Sequence, residues 1–486
     1  MTLRQSPSGP IDLSNAVPFA ALAGLSGERG SVVAARENLG IYQWVDSQNL
    51  APDSAQVVNA PGGQWQRLSQ ASQEWCSQAA WIIDPINGSD LAPSVIKSWA
   101  EFNARTQPQG TLRQNTTVSI LSDMSESINW NGFIGLFNTA NLDISSPSTS
   151  WAQTGGGTIT TFTSLVPSTQ QNAIVDDTGG AFTGKEGQRI RITSGASINA
   201  TAWILKVNSA TQIELAGDFQ LLETLANISG AVVTPVAGVT YVTETVPRVG
   251  SVSMLVQGPG TGTVVVPQFT QLTMRDLAID KIGQAAGGRE STLSVQNQGG
   301  NSQFRMLRCR YKGRGFSTQL GFSVLLGCLF QNDGSLILDN PTLIGGGFLG
   351  SAAGGVLLSG GVQFGGNFIA RNPFGATAGL VSMFRGSQLI LPTNASVGCF
   401  DNSTGPGFSM GVGGGSAFMT AVSTHLRGNG NAGFGGVITS GRLVQYGTTK
   451  PIVTGTLGDW QIGGATVAYA AIPFFDTAKA CGLVTL

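Results

Sequence analysis

A chain of 486 residues exceeds what one ordinary core fills, so its length fits two to four domains or one elongated solenoid. Charged residues are only 11% of the chain and glycines number 68, where soluble domains carry about 25% charge and roughly 7% Gly. Gly, Ser, Thr, Asn and Gln fill the gap, which suits tight turns and a surface buried against copies of itself. The net charge of -1 supplies no field for DNA or anionic lipid, so no nucleic-acid partner is expected, and the alternating Val, Ile, Leu and Phe argue against disorder.

Residues 1–70 read as an extended attachment or capping segment. Pro7, Pro10 and Pro18 break an early helix, Ala20 to Leu25 can form a short one, and Gly40 to Leu68 reads as short strands and turns. Pro61, Gly62 and Gly63 make a turn that leads to an aromatic anchor, Trp65. The start, MTLRQSPSGPIDLSN, lacks the layout of a signal peptide, and no run of ~18 apolar residues exists. Synthesis in a cytoplasm and no membrane insertion are therefore expected.

Residues 71–155 change pattern. WIIDPINGSD at 81–90 is a strand entering a polar turn. SVIKSWAEFNARTQ at 94–107 places Val95, Ile96, Trp99, Ala100 and Phe102 at helical spacing, and TTVSILSDM at 116–124 alternates like a strand. Strand, helix, strand is what covers the open end of a solenoid, whose first rung would otherwise expose apolar side chains and unpaired backbone. GQRIRITSGA, AWILKVNSATQIELAG and AGVTYVTETVPRV, within 156–250, are alternating strands of ordinary polarity, so this stretch reads as a small inserted antiparallel β-domain.

From 251 to 486 short apolar strands recur between Gly, Asn, Asp and Ser turns. Met306 to Leu325, Cys309 to Cys328 and Leu338 to Leu357 are each 19 residues apart, and Leu357 to Val381 is 24. A period near 20 with no helix, no Leu and Asn ladder and half the length of a propeller blade leaves a parallel β-helix. Cys309 over Cys328 then forms one interior stack. Five cysteines, Cys76, Cys309, Cys328, Cys399 and Cys481, are too few and too scattered for a disulfide framework. The Gly density fits turns at positive φ and rods packed closely side by side, for which a homotrimer is the geometric expectation.

The phrase carried by Trp81, Asp84, Pro85, Asn87, Gly88 and Asp90, with the following SWAEFNARTQ and TTVSILSDM, resembles the entry segment of pectin-lyase-like phage tail spikes and tail fibres. The upstream GGQWQRL resembles the piece preceding the helix in such proteins. The likeness covers about 80 residues. It implies an all-β, right-handed parallel β-helix, usually trimeric. It also implies a virion protein mounted on tail or baseplate proteins by its N-terminus, contacting host polysaccharide or another surface receptor. Some relatives cleave host polysaccharide, while others only bind or brace the particle.

Chemistry is sparse. One histidine, His425, excludes multi-His metal sites and reads as a turn residue beside Arg427; no cofactor and no metal are expected. Glycan hydrolysis needs two carboxylates ~5–10 Å apart, and in the last part of the chain the candidates are Asp333, Asp339 and Asp401, for which turn formation in QNDG and FDNS is the alternative reading. The dense basic patch on FRMLRCRYKGRG contains Arg308, Arg310 and Arg314, with Arg308 and Arg310 alternating around Cys309 on one outer face. It can bind anionic sugar, or pair with acids of a neighbouring subunit, which is the preferred reading. Glycine strings at 258–262 and 313–321 lack the Lys-Ser or Lys-Thr of a phosphate loop. A structural role without catalysis is the leading expectation and a depolymerase, hydrolase or lyase, the alternative.

Overall fold

The computed structural model describes residues 19–25, 32–34, 41–45, 57–67, 79–88, 95–106, 111–112, 115–134, 141–164, 173–180, 182–221, 231–257, 271–280, 292–298 and 303–313, and from there to 485 the strands only, as backbone alone after Phe348. It is mostly β, and the described strands form three sheets: a four-stranded one within 32–67, a nine-stranded one within 152–245, and a curled sheet of 30 strands drawn from the rest.

The first sheet is antiparallel, and a short 3-10 helix, Phe19–Gly24, packs on it. Its core is Leu22, Tyr42, Ala60 and Trp65. The turn read from Pro61 to Gly63 is present with Gly62 at φ 88°, and Trp65, 1% exposed, donates its indole N–H to the Leu25 carbonyl at 2.8 Å.

The large sheet opens at Ala80–Ile83, which pairs in parallel with Thr116–Ile120. The Asp84 carboxylate folds the chain back at once, accepting the backbone N–H groups of Ile86 and Asn87, both at 3.0 Å. Gly88 is required there because a Cβ would run into the carbonyls of Ile96 and Asp84.

The helix runs from Trp99 to Thr106, shorter than the 94–107 expected from spacing. Val95–Ile96 is taken instead by parallel pairing with Ile82–Ile83, and Ser98 caps the helix by accepting the Glu101 N–H at 3.0 Å. Glu126 reaches the same end and accepts the Trp99 N–H at 2.8 Å, satisfying a second orphan donor. Trp99 and Phe102 turn inward, with Phe102 edge-on to Trp81 at 5.3 Å.

Beyond this cap, strands stack in parallel on strands two or three places later in the chain, so successive strands lie on different walls. Asn141–Ser145, Gln271–Arg275, Gln303–Leu307 and the first half of Phe322–Asn332 form one wall in register. Leu142, Ile144, Leu272, Met274, Phe304, Met306 and Leu325 line the inside of that wall, each at most 1% exposed. At roughly 25 cal/mol per Å² of apolar surface, such columns are the main stabilising term.

Met306 faces Leu325, and Arg310 faces Leu329 beside Cys309 and Cys328, so the 19-residue step holds here. It slips further on. Leu338 faces Leu358, not Leu357, and Val381 faces Val356, not Leu357. A one-residue slip exchanges the two faces of a strand, and neither apolar pair of neighbours distinguishes the registers in the sequence.

FRMLRCRYKG is not one strand. It breaks into Gln303–Leu307 and Arg310–Gly313 around Arg308, which lies at φ 50°. The same corner recurs on three tiers, at Asp276 with φ 55°, Arg308 and Gly327 with φ 58°. The backbone ladder continues round it, through Asp276 N–H to Leu307 carbonyl and Arg308 N–H to Leu326 carbonyl.

The nine-stranded antiparallel sheet is inserted between two tiers, since the strand before it, Asn141–Ser145, is stacked directly by the later Gln271–Arg275. Its own core contains Val175, Phe182, Ile190, Ile192, Ile204, Ile213, Phe219 and Tyr241. At the far end Arg442–Tyr446 and Gly458–Ile462 pair antiparallel with Gly482–Thr485 and Ala465–Val467. These returning strands cover edges that would otherwise invite pairing with another chain.

Candidate functional site

Among the described residues, the densest group of charged side chains lies where the inserted sheet meets the corner of the large one. Arg189 and Arg191 alternate with Ile190 and Ile192 on one strand, so the isoleucines enter the small core and the arginines face the other way. Arg189, 1% exposed, spans both sheets. Its Nε donates to Glu244 Oε1 at 2.9 Å and its Nη1 to Asp276 Oδ1 at 2.6 Å. Its guanidinium lies 3.9 Å from the Trp151 ring centre.

Arg308 grips the same Asp276 from the next tier, Nε to Oδ1 at 2.7 Å and Nη2 to Oδ2 at 2.6 Å. Arg191 closes the other end on Glu244 Oε2 at 3.1 Å. Burial alone would raise the Asp276 carboxyl, but the hydrogen bonds and charge of Arg308, then those of Arg189, outweigh it and hold the group below the usual carboxylate range.

Around this cluster the seam is apolar and hydrogen-bonded. Trp203, Leu205, Ala216 and Val246 pack against Ala278 and Leu329 of the stack. The Trp203 indole donates to the Gly327 carbonyl at 3.0 Å, on the corner column itself. Arg310 reaches across to the Gly187 carbonyl at 2.9 Å while pairing with Asp280 at 2.6 Å.

A pattern runs through these contacts: the acid sits on one tier and its arginine on the next. Asp143 pairs with Arg275, Asp276 with Arg308 and Asp280 with Arg310. Arg308 and Arg310 thus find their acids within the chain, where a neighbouring subunit was the expected source, and the break at Arg308 places them on either side of a corner. The reason is the stacking: Asp276 meets Arg308 one strand spacing, about 4.8 Å, away at the corner, and Asp143 and Asp280 lie two positions from the residues opposite Arg275 and Arg310, within reach of a long arginine side chain.

Arg314 and Asp333 lie outside the described residues. Asp339 ends the strand Leu336–Asp339 opposite Ser359, whereas Asp401 lies on another wall, opposite Arg371 and Arg427. Stacking therefore does not set those two acids side by side. His425 is the first residue of a strand, opposite Cys399.

Chemically, the seam is a joint held by ion pairs, hydrogen bonds and apolar packing. Its carboxylates are saturated by arginines, and both stacked thiols are buried and free. Burial pushes the Cys309 thiol up to about 12 and Cys328 upward as well, so neither supplies a thiolate. Asp276, Arg189, Glu244 and Trp151 are absent from the residues singled out in the sequence; the one local signal was RIRI, two arginines on one face of a strand in a charge-poor chain.

Compared with known proteins, the chain matches no family model and no curated protein. Among solved structures it is similar to the tailspike gp61 of Pseudomonas phage phi297, at 10% identity over 75% of this chain and 72% of that one, with a TM-score of 0.18, too low to carry an argument about fold or role.

Proposed function

We propose that the chain is a structural tail-spike or tail-fibre subunit of a phage or phage-like particle: a right-handed parallel β-helix, assembled as a homotrimer. Residues 1–70 mount it on tail or baseplate proteins, 71–155 and 251–486 form the capped helix, and 156–250 form a side module. The host-facing surface binds a surface polysaccharide or receptor, without catalysis. The observation that carries this reading is the in-register parallel stack, covered at one end by the Trp99–Thr106 helix and at the other by antiparallel returns. The entry phrase from Trp81 to Asp90 supports the same family. Asp339 and Asp401 lie on different walls, so a depolymerase would draw its carboxylate pair from Asp333 or from a neighbouring chain.

The experiment is electron microscopy of the native particle with an antibody against residues 156–250. Label at the tail, absent from particles lacking the gene, is the expected result; label confined to host cytoplasm overturns the reading. Release of reducing ends or unsaturated sugars from the host's own glycan would instead establish the depolymerase.

A further inference from the structure

Arg305 stands in the middle of the strand Gln303–Leu307, and because Phe304 and Met306 fill the interior it projects from the outer face of the wall. Thr273 lies opposite it on the preceding tier and Val324 on the next, so no acid adjoins it in its column. Asp143, two tiers before it in that column, is held by Arg275. Among the described side chains, every other arginine pairs with a carboxylate of its own chain. Arg275 and Arg308 do so through one edge of the guanidinium, Nε donating to one carboxylate oxygen and Nη2 to the other. The same edge of Arg305 holds no carboxylate. Its Nη2 donates to the neutral Gln303 Oε1 at 2.9 Å, and its Nε is buried without an acceptor. With no charge opposite, burial alone acts on this guanidinium and pushes it below its ordinary pKa.

We propose that a carboxylate of a second copy of this chain completes Arg305, displacing the Gln303 amide and accepting from both Nε and Nη2. The inference rests on the self-assembly in the proposed function and names one contact of it. Charge complementarity selects the occupant. A desolvated guanidinium without a counter-charge destabilises the lone chain at all times. A permanent neighbouring subunit offsets that continuously, whereas a host sugar does so only while it is bound. The chain carries 27 Asp and Glu against 26 Lys and Arg, so its copies can supply the acid that each lacks at this position. In a closed ring each copy gives a carboxylate to one neighbour and receives one from the other.

The test uses the full-length Arg305→Lys variant, which keeps the positive charge and sets a primary amine at this position. A carbodiimide joins that amine to any carboxylate in contact with it; the products are separated on a denaturing gel and the joined peptides mapped by mass spectrometry. Bands of two and three chains containing a junction from position 305 to an Asp or Glu are expected. Arg248→Lys is the control, because Asp123 of the same chain faces it, and its junction should appear in the single-chain band. By light scattering, Arg305→Glu should dissociate on dilution at a concentration at least tenfold above that of the parent, with its β-sheet circular dichroism unchanged. An intact assembly in which position 305 is joined to nothing, or only within its own chain, overturns the inference and leaves the assembly standing. An acidic polysaccharide that binds the parent and not Arg305→Glu assigns the arginine to a glycan and also overturns it. A parent chain that is monomeric before any cross-linking removes the assembly and this contact with it.

Discussion

Arg308 holds Asp276 of the preceding tier with two hydrogen bonds, 2.7 and 2.6 Å long, and both residues have left-handed backbone, at φ 50° and 55°. Left-handed backbone costs a side-chain-bearing residue roughly 1–2 kcal/mol. The ion cluster offsets that strain, and on the third tier, where no such pair forms, the corner residue is Gly327.

Removing the carboxylate should therefore be worse than removing one arginine. Asp276→Ala leaves Arg189 and Arg308 facing one another with Glu244 shared by two arginines, and a loss of about 3–5 kcal/mol is expected. Arg189→Met leaves Asp276 with Arg308 and Glu244 with Arg191, so a smaller loss is expected. Denaturant unfolding of both variants, monitored through tryptophan emission, checks the order.

Acid should loosen the same joint. A carboxyl held below its ordinary 3.8 contributes stability that is present above that value and lost as pH falls toward the depressed folded value. Asp143 has the opposite sign, because burial outweighs Arg275 and raises its carboxyl; its protonation favours the folded state. The net expectation is a joint stable to near pH 4, then a drop that Asp276→Asn abolishes, measured as melting temperature against pH.

Two glycines with the same dihedral separate backbone strain from crowding. Gly184 at φ 75° has nothing within 4 Å of an added Cβ, so Gly184→Ala should cost only about 1–2 kcal/mol. Gly346 at φ 76° lies against the Cys328 backbone, and a Cβ there would overlap the Cys328 carbonyl. Gly346→Ala should prevent soluble assembly of the full chain, read from the yield of folded protein.

Trp203→Phe removes the indole donor from the Gly327 carbonyl while keeping most of the apolar contact with Leu329. A loss of about 1–2 kcal/mol is expected, since the buried carbonyl is left without that donor. Hydrogen exchange should quicken in the strand Thr201–Ser209 and stay unchanged at Ala80–Ile83, which does not touch the seam.

What could be read from the sequence was local. Asp84, Asn87 and Gly88 make their turn within five residues, and the 19-residue step near Cys309 shows because consecutive tiers there have equal length. The seam was illegible because Arg189 and Asp276 are 87 residues apart and belong to different sheets. The slip at Leu338 was illegible for another reason: Leu357 and Leu358 are equally apolar, so pattern alone does not choose between them.

The central claim, a rod built to assemble on copies of itself, is tested most directly by light scattering of the purified full-length chain. The account requires a single species at three times the 50.2 kDa chain mass, resistant to dilution. A monodisperse 50.2 kDa monomer would contradict it.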